Sequence, residues 1–141
     1  MEKFGKSQSV LRTEDNRFLT GKGRYIDDAT PPGSLFAYFF RAQVAHAKIR
    51  SLCIDNAKKA TGVKAIFTAE DLKNNNVKND LVGVTVKNRD GTDGACPKRP
   101  LLATDRVRFV GEPILLIIAD STENAKDAAE LVDIDYNDLP V

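Results

Sequence analysis

The alternation of apolar and polar positions along the chain predicts at least six short strands. The continuous apolar run Ile114–Ala119 is typical of a strand that is buried on both faces. The other candidates either alternate with a period near two or are dense in aromatic and β-branched residues. They are Ser34–Gln43, Ile49–Ile54, Val63–Phe67, Arg106–Val110 and Val132–Tyr136.

Two or three short helices are predicted between these strands. Ala125, Ala128, Ala129 and Val132 recur at helical spacing, and Asp120 or Ser121 precedes them as a candidate N-cap. The other two helix signals are caps. They are Thr68–Asp71, which matches a capping box with aspartate in place of the usual glutamate, and Asp55, which would cap a helix over 56–61 that ends before Gly62.

The order of these elements favours an α+β fold with a mixed sheet, because the helices are too few and too irregularly spaced for a doubly wound parallel fold. We expect a single domain over residues 1–141, with an N-terminal arm at 1–12. Residues 74–100 are polar and form a variable, insertion-tolerant loop region. Within that region, Leu81–Val86 is a further strand candidate.

Composition excludes several classes of protein. The chain has 141 residues and a net charge of +1, which gives no electrostatic case for binding nucleic acid or an anionic membrane surface. No stretch has the length of a membrane span, and the first residues do not resemble a secretion signal. Without such a signal, Cys53 and Cys96 are expected to be free thiols, and the cytoplasm is the expected compartment.

The segment Gly21-Lys-Gly23 suggests a phosphate-binding loop, but the residues around it do not fit one. A dinucleotide fingerprint needs a third glycine at the start of a helix, whereas Tyr25 and Ile26 follow here and resemble a strand. A turn is the better interpretation. Asp27 and Asp28 lack the further oxygen ligands of a calcium loop, so Asp28 is expected to cap a turn before 31–33.

The remaining candidates for chemistry are isolated from one another. His46 is the only histidine, and Cys53 lies seven residues away with no third partner, so neither a catalytic triad nor a zinc site is predicted. Glu112 could be a carboxylic acid with a shifted pKa, or it could accept hydrogen bonds from nearby backbone N–H groups. The second role is expected. No catalytic, cofactor-binding or metal-binding residue is therefore assigned in this chain.

Five blocks, taken in order, carry a resemblance that no single block carries alone. Together they resemble the N-terminal α/β hammerhead domain of the molybdenum hydroxylase large subunit, the family of aldehyde oxidase, xanthine dehydrogenase and aerobic carbon monoxide dehydrogenase. Within this family, the five blocks are most similar to the large chain of the carbon monoxide dehydrogenase type. The resemblance runs from about Gly5 to Val141, and its blocks are Arg17–Asp28, Arg41–Ile49, Gly62–Leu72, Arg106–Pro113 and Ala128–Pro140.

The resemblance implies a non-catalytic scaffold domain. In that family the molybdopterin-binding segments and the catalytic glutamate lie beyond the hammerhead domain, so no cofactor in this chain is implied and the isolated chain is expected to be inactive. The full enzyme would hydroxylate a small substrate with water-derived oxygen at a molybdenum centre. Its [2Fe–2S] clusters and FAD would be carried on a small and a medium subunit, and those subunits and the rest of the large subunit are the implied partners.

A scaffold domain cut from its enzyme should expose apolar surface where it packs on its neighbours. The alternative function is a stand-alone binding or assembly module that uses the same fold. The sequence leaves the substrate, the oligomeric state and the contact surfaces open.

Overall fold

The computed structural model describes residues 12–81 and 83–141, which belong to two compact units, Met1–Ser34 and Leu35–Val141. Each unit is described by itself. The predicted N-terminal arm, except for Arg12, lies outside the described residues, and the single-domain organisation stays a prediction. Within residues 12–34 the first unit has a short helix, α1 (Asp15–Leu19), and a 3₁₀ turn at Asp27–Ala29.

Strands make up most of the second unit. They pair into three sheets with the orders β1-β7-β3, β6-β2-β8 and β4-β5, and every pairing between these strands is antiparallel. The bounds are β1 Phe36–Arg41, β2 Ala47–Cys53, β3 Val63–Thr68, β4 Asp80–Leu81, β5 Arg99–Pro100, β6 Arg106–Val107, β7 Pro113–Ala119 and β8 Asp133–Asp138.

Three helices of the second unit connect these strands: α2 (Asp55–Lys58), α3 (Ala69–Asn74) and α4 (Thr122–Glu130). The predicted capping box of α3 is confirmed, since Thr68 and Asp71 exchange side-chain and backbone hydrogen bonds. Ser121 caps α4, as one of the two predicted candidates.

The prediction for α2 is partly wrong. The helix begins at Asp55 instead of being capped by it, and it ends at Lys58 rather than at residue 61. Ile54 occupies the N-cap position and offers no side-chain oxygen, so this single turn is held by packing of the buried Ala57. Gly62 has a positive φ of 78°, as expected, but it lies beyond the helix end.

The main core lies between α4 and the sheet β1-β7-β3. Ala125, Ala128 and Ala129 of α4 are buried against Leu115 and Ile117 of β7, as the helical spacing of the alanines predicted. Small side chains let the helix approach the sheet closely, so that both surfaces lose contact with water. A second cluster lies near the sheet β6-β2-β8 and contains Ala42, Ala47, Ala103, Val107 and Ile114.

Three strand predictions need correction. The strand expected over Arg106–Val110 stops at Val107, because residues 109–111 form a turn. The strand expected over Leu81–Val86 is limited to β4, with residues 83–86 irregular. Tyr25 and Ile26 are not a strand either, since they lead into the 3₁₀ turn at Asp27–Ala29.

The fold class predicted from the sequence, α+β with short helices and the hammerhead architecture, is confirmed in the described residues. Two details differ: the strands form separate antiparallel sheets, and α1 brings the number of described helices to four. Among the residues that the structure describes, no helix is both long and apolar enough to cross a membrane.

Candidate functional site: an apolar groove on the open face of the sheet

The sheet β1-β7-β3 leaves an apolar row uncovered on the face opposite α4. Leu116 of β7 pairs with Phe39 on one side and with Phe67 on the other, so three bulky side chains lie side by side across the strands. Phe39 is 41% exposed and Phe67 is 38% exposed. We call Phe39, Leu116 and Phe67 the open row.

The groove has the open row as its floor. β7 contains a bulge that helps to shape the groove. Leu115 pairs with Phe40 and Pro113 pairs with Arg41, so the residue between them, Ile114, has no partner on β1. Ile114 and Leu115 are consequently both buried in the core, while Pro113 joins Leu116 in lining the groove.

Two walls enclose about 890 Å³ above this floor. One wall comes from α3, from the small sheet β4-β5 and from the chain that follows it; the other comes from the turn between β6 and β7. Such a volume falls within the range of ligand pockets in proteins, although this one is open along its length. The wall residues are Leu72, Leu81, Lys98, Arg99, Pro100, Leu101, Leu102, Arg108, Phe109, Glu112 and Pro113.

Glu112 is the buried polar side chain of the groove, and it holds the turn at residues 108–112. It is 2% exposed, and its carboxylate accepts a hydrogen bond from the backbone N–H of Arg108. The Arg108 guanidinium lies 3.3 Å from the second carboxylate oxygen. The expected role as an acceptor of backbone hydrogen bonds is therefore confirmed. Burial of a carboxylate is costly unless it is paired and hydrogen-bonded, and both conditions are met here.

The same turn is tied by three further bonds to the last residue of β1 and to the residue after it. Ala42 donates to the Glu112 carbonyl at 2.9 Å and accepts from the Gly111 N–H at 2.8 Å, and the Arg41 guanidinium donates to the Gly111 carbonyl at 2.9 Å. Phe109 and Val110, at the tip of the turn, are 56% and 64% exposed. The tip of the turn is therefore apolar and exposed, while hydrogen bonds hold the rest of the turn in place.

The structure confirms that the segment at Gly21 is a turn. Gly21 has a φ of 69° and follows the last turn of α1, where its N–H donates to the Phe18 carbonyl and the N–H of Lys22 donates to the Arg17 carbonyl. These two bonds define a Schellman motif, which places a left-handed glycine after a helix. A Cβ on Gly23 would come within 2.8 Å of the Phe18 ring, so close packing requires that glycine.

Asp28 caps a turn that precedes the prolines, as expected. Its carboxylate accepts a hydrogen bond from the Tyr25 N–H at 2.9 Å, which closes the 3₁₀ turn that contains Asp27. Within the described chain, no group of three or more histidine, cysteine, aspartate or glutamate side chains could hold a metal ion. The described side chains therefore offer no ligand set for an iron–sulfur cluster, and we derive no catalytic step through a metal centre.

His46 and Cys53 do not form a catalytic pair. They flank β2 at opposite ends, and seven residues of extended chain separate them by roughly 20 Å. His46 instead donates from Nδ1 to the Pro140 carbonyl at 2.7 Å, and its own carbonyl accepts from the Leu139 N–H at 2.9 Å. Cys53 and Cys96 are exposed free thiols. The assignment of no catalytic residue stays a prediction.

Sequence reasoning did not find the groove. It predicted exposed apolar surface, and the open row is apolar and partly exposed, but nothing in the sequence placed Phe39 beside Phe67. The available signal was the alternation in β1 and β3, where each phenylalanine follows a residue of the opposite face.

The comparisons with known proteins agree with the fold. Residues 20–140 match the sequence profile described as "Aldehyde oxidase and xanthine dehydrogenase, a/b hammerhead domain". The chain belongs to this family.

Two curated relatives and one solved structure illustrate the match. The nicotine 6-hydroxylase large subunit of Paenarthrobacter nicotinovorans is 37% identical over 94% of this chain and 15% of its own length. The carbon monoxide dehydrogenase large chain of Afipia carboxidovorans is 39% identical over 92% of this chain and 15% of its own length. The crystal structure of quinoline 2-oxidoreductase from Pseudomonas putida 86 matches with a TM-score of 0.77 at 36% identity, over 94% of this chain and 16% of the other. The chain thus spans about 15% of the length of these two curated relatives.

Proposed function

We propose that this chain is a non-catalytic scaffold domain of a molybdenum hydroxylase large subunit, and that the groove is the surface on which the rest of that subunit packs. The observation that carries the proposal is the open row, whose phenylalanines are 41% and 38% exposed in an otherwise ordinary soluble composition. Contiguous exposed apolar surface marks interaction sites in soluble proteins. The 85% of each relative's length that this chain does not match would supply the covering chain.

The full enzyme, on this proposal, oxidises a small substrate with water-derived oxygen at a molybdenum–molybdopterin centre. Its electrons leave through [2Fe–2S] clusters to FAD on the small and medium subunits, and the enzyme works in the cytoplasm. The large chains of carbon monoxide dehydrogenase and nicotine 6-hydroxylase and the quinoline 2-oxidoreductase chain match to a similar degree, so the match does not select one small substrate. On this proposal the isolated chain is inactive, because the family's molybdopterin-binding segments lie outside the hammerhead domain.

The gene provides the first test. We expect the reading frame to continue past Val141 into the remainder of a large subunit, next to genes for iron–sulfur and flavin subunits. A stop codon directly after Val141 without such neighbours would contradict the proposal and favour a stand-alone binding module.

The second test uses the full enzyme and the substitution Phe67→Asp, which places a charge in the open row. We expect it to reduce co-purification of the subunits and the molybdenum content per large subunit. Lys64→Asp is the matched control, since this exposed residue of the same strand does not line the groove. An enzyme with Phe67→Asp that assembles with its full molybdenum content would rule out the scaffold role of the groove.

A further inference from the structure

The groove carries an uneven distribution of charge on its walls. Its charged lining residues are Lys98, Arg99, Arg108 and Glu112, three cations against one carboxylate. Glu112 is already paired with Arg108, both through the backbone N–H and through the guanidinium at 3.3 Å. The charge of the groove that Glu112 does not offset is therefore positive, and it comes from Lys98 and Arg99 at the start of β5.

Lys98 and Arg99 are held differently. The Lys98 ammonium lies 3.7 Å from the Asp80 carboxylate, and both side chains are largely exposed, which makes a weak pair. Arg99 is exposed, and among the described residues its guanidinium has no hydrogen-bond or ion-pair partner. Its backbone is nevertheless fixed, since β5 pairs with β4 and places Arg99 opposite Leu81. A guanidinium that is anchored at its backbone and lies beside an apolar floor suits a carboxylate that is carried on an apolar segment.

We infer that the groove binds a peptide segment of mixed chemistry, with bulky apolar side chains over the open row and a carboxylate against Arg99. The inference rests on the proposed function for its occupant, which is a segment of the remaining large subunit. The positive charge of Arg99 favours a segment with an acidic residue, and the apolar floor favours bulky apolar side chains next to that residue. Lys98 contributes long-range attraction rather than a fixed contact.

The experiment measures binding of fluorescein-labelled peptides to the 141-residue chain by fluorescence anisotropy. The acidic probe has a centre of leucine and phenylalanine flanked by glutamates; the basic probe has the same centre flanked by lysines. We expect the acidic probe to bind more tightly. Arg99→Glu should weaken it about fivefold or more, since an ion pair at the surface is replaced by a repulsion.

Controls separate the groove from the rest of the surface. Phe67→Ser should weaken both probes, because the shared apolar centre loses its floor. Lys126→Glu is the matched charge control, since Lys126 is exposed on α4, on the opposite side of the sheet from the groove. Circular dichroism and the midpoint of thermal unfolding check that each variant is folded.

Several results would overturn the inference. These are equal affinity for the two probes, unchanged binding in Arg99→Glu, binding of a small apolar dye without either peptide, and a homodimer that Phe67→Ser dissociates while neither probe binds. A reversed preference in Arg99→Glu, with the basic probe bound more tightly than the acidic one, would be the strongest support.

A second set of probes separates this inference from the proposed function. Short overlapping peptides are taken from the large chain of Afipia carboxidovorans carbon monoxide dehydrogenase, beyond the part that this chain matches. Binding by peptides with an acidic residue next to apolar ones supports both proposals. Binding of the designed acidic probe, but of none of these peptides, would support the chemistry of the groove and count against the large subunit as its occupant.

Discussion

The two faces of the sheet β1-β7-β3 differ although they are built from neighbouring residues of the same strands. On the covered face, Ile117 lies between Tyr38 and Ile66 and packs beneath α4. One residue along each strand, the open row places Leu116 between two phenylalanines that remain substantially exposed. Both rows are apolar in sequence, so their different burial depends on where the chain places its helices.

The comparison shows how a single sheet can serve both folding and assembly. Apolar area removed from water stabilises the fold by about 25 cal/mol per Å². The covered face supplies this stabilisation within the chain, because α4 packs on it. The open row can contribute the same energy only when a further segment covers it. The following substitutions test whether the covered face stabilises the chain more than the open row does.

The largest effect is expected from Leu115→Ala on the covered side. Leu115 has 0% exposure, and its truncation leaves a cavity beneath α4. We expect the free energy of unfolding to fall by about 2–5 kcal/mol, as measured by urea denaturation. The adjacent Leu116→Ala is the matched control and should cost much less, because Leu116 is only half-buried. Equal losses for the two leucines would contradict the comparison.

Glu112→Ala tests the polar wall of the groove. Removing the carboxylate leaves the Arg108 N–H without its acceptor and the guanidinium without its partner. The free energy of unfolding should fall by about 1–3 kcal/mol, and hydrogen exchange at the Arg108 amide should accelerate. Glu112→Gln keeps an acceptor oxygen and should lose less. If the alanine variant matches the wild type in both measurements, Glu112 does not hold the turn.

Ser121→Ala tests the helix that covers the sheet. The Ser121 hydroxyl accepts a hydrogen bond from the Asn124 N–H at 3.1 Å, and its loss should cost about 1 kcal/mol in thermal or urea unfolding. Ser51→Ala, on an exposed position of β2, is the control and should be nearly neutral. A loss of the same size in both variants would show that the cap of α4 has no special role.

The smallest effect concerns the cap of α3, whose Leu72 lines the groove. The hydroxyl of Thr68 donates to Asp71 and, together with the Thr68 backbone N–H, lowers the pKa of Asp71 below its ordinary value of 3.8. A lowered carboxyl pKa stabilises the fold above pH 3.8, and this contribution is lost as the pH falls through the folded pKa.

The difference in the free energy of unfolding between wild type and Asp71→Asn should therefore be constant above pH 3.8. It should shrink as the pH falls through the folded pKa of Asp71. It should stay under about 1 kcal/mol, since the site is largely hydrated. An NMR titration of the Asp71 carboxyl carbon checks the direction of the shift, and Thr68→Val should raise the pKa toward 3.8. A carboxyl that titrates at its ordinary value would contradict the cap geometry.

Much of the fold could be predicted because its signals are local. The capping box at Thr68–Asp71, the alanine stripe of α4 and the strand Ile114–Ala119 depend on neighbours within a few residues. Predictions failed where local signals compete with tertiary contacts. The alternation in 106–110 is interrupted by the turn that Glu112 holds, and β7 has only one fully covered face.

From the residues alone followed the family, the caps of α3 and α4 and most of the strands, while the assignment of no nucleotide or metal site stays a prediction. Two features became visible only in the folded chain. They are the register that aligns Phe39, Leu116 and Phe67, and the side of the sheet on which α4 packs. The physical reason is that strand alternation shows that two faces exist but not which one is covered. That choice depends on contacts between residues far apart in the chain, and it leaves the groove on the other side.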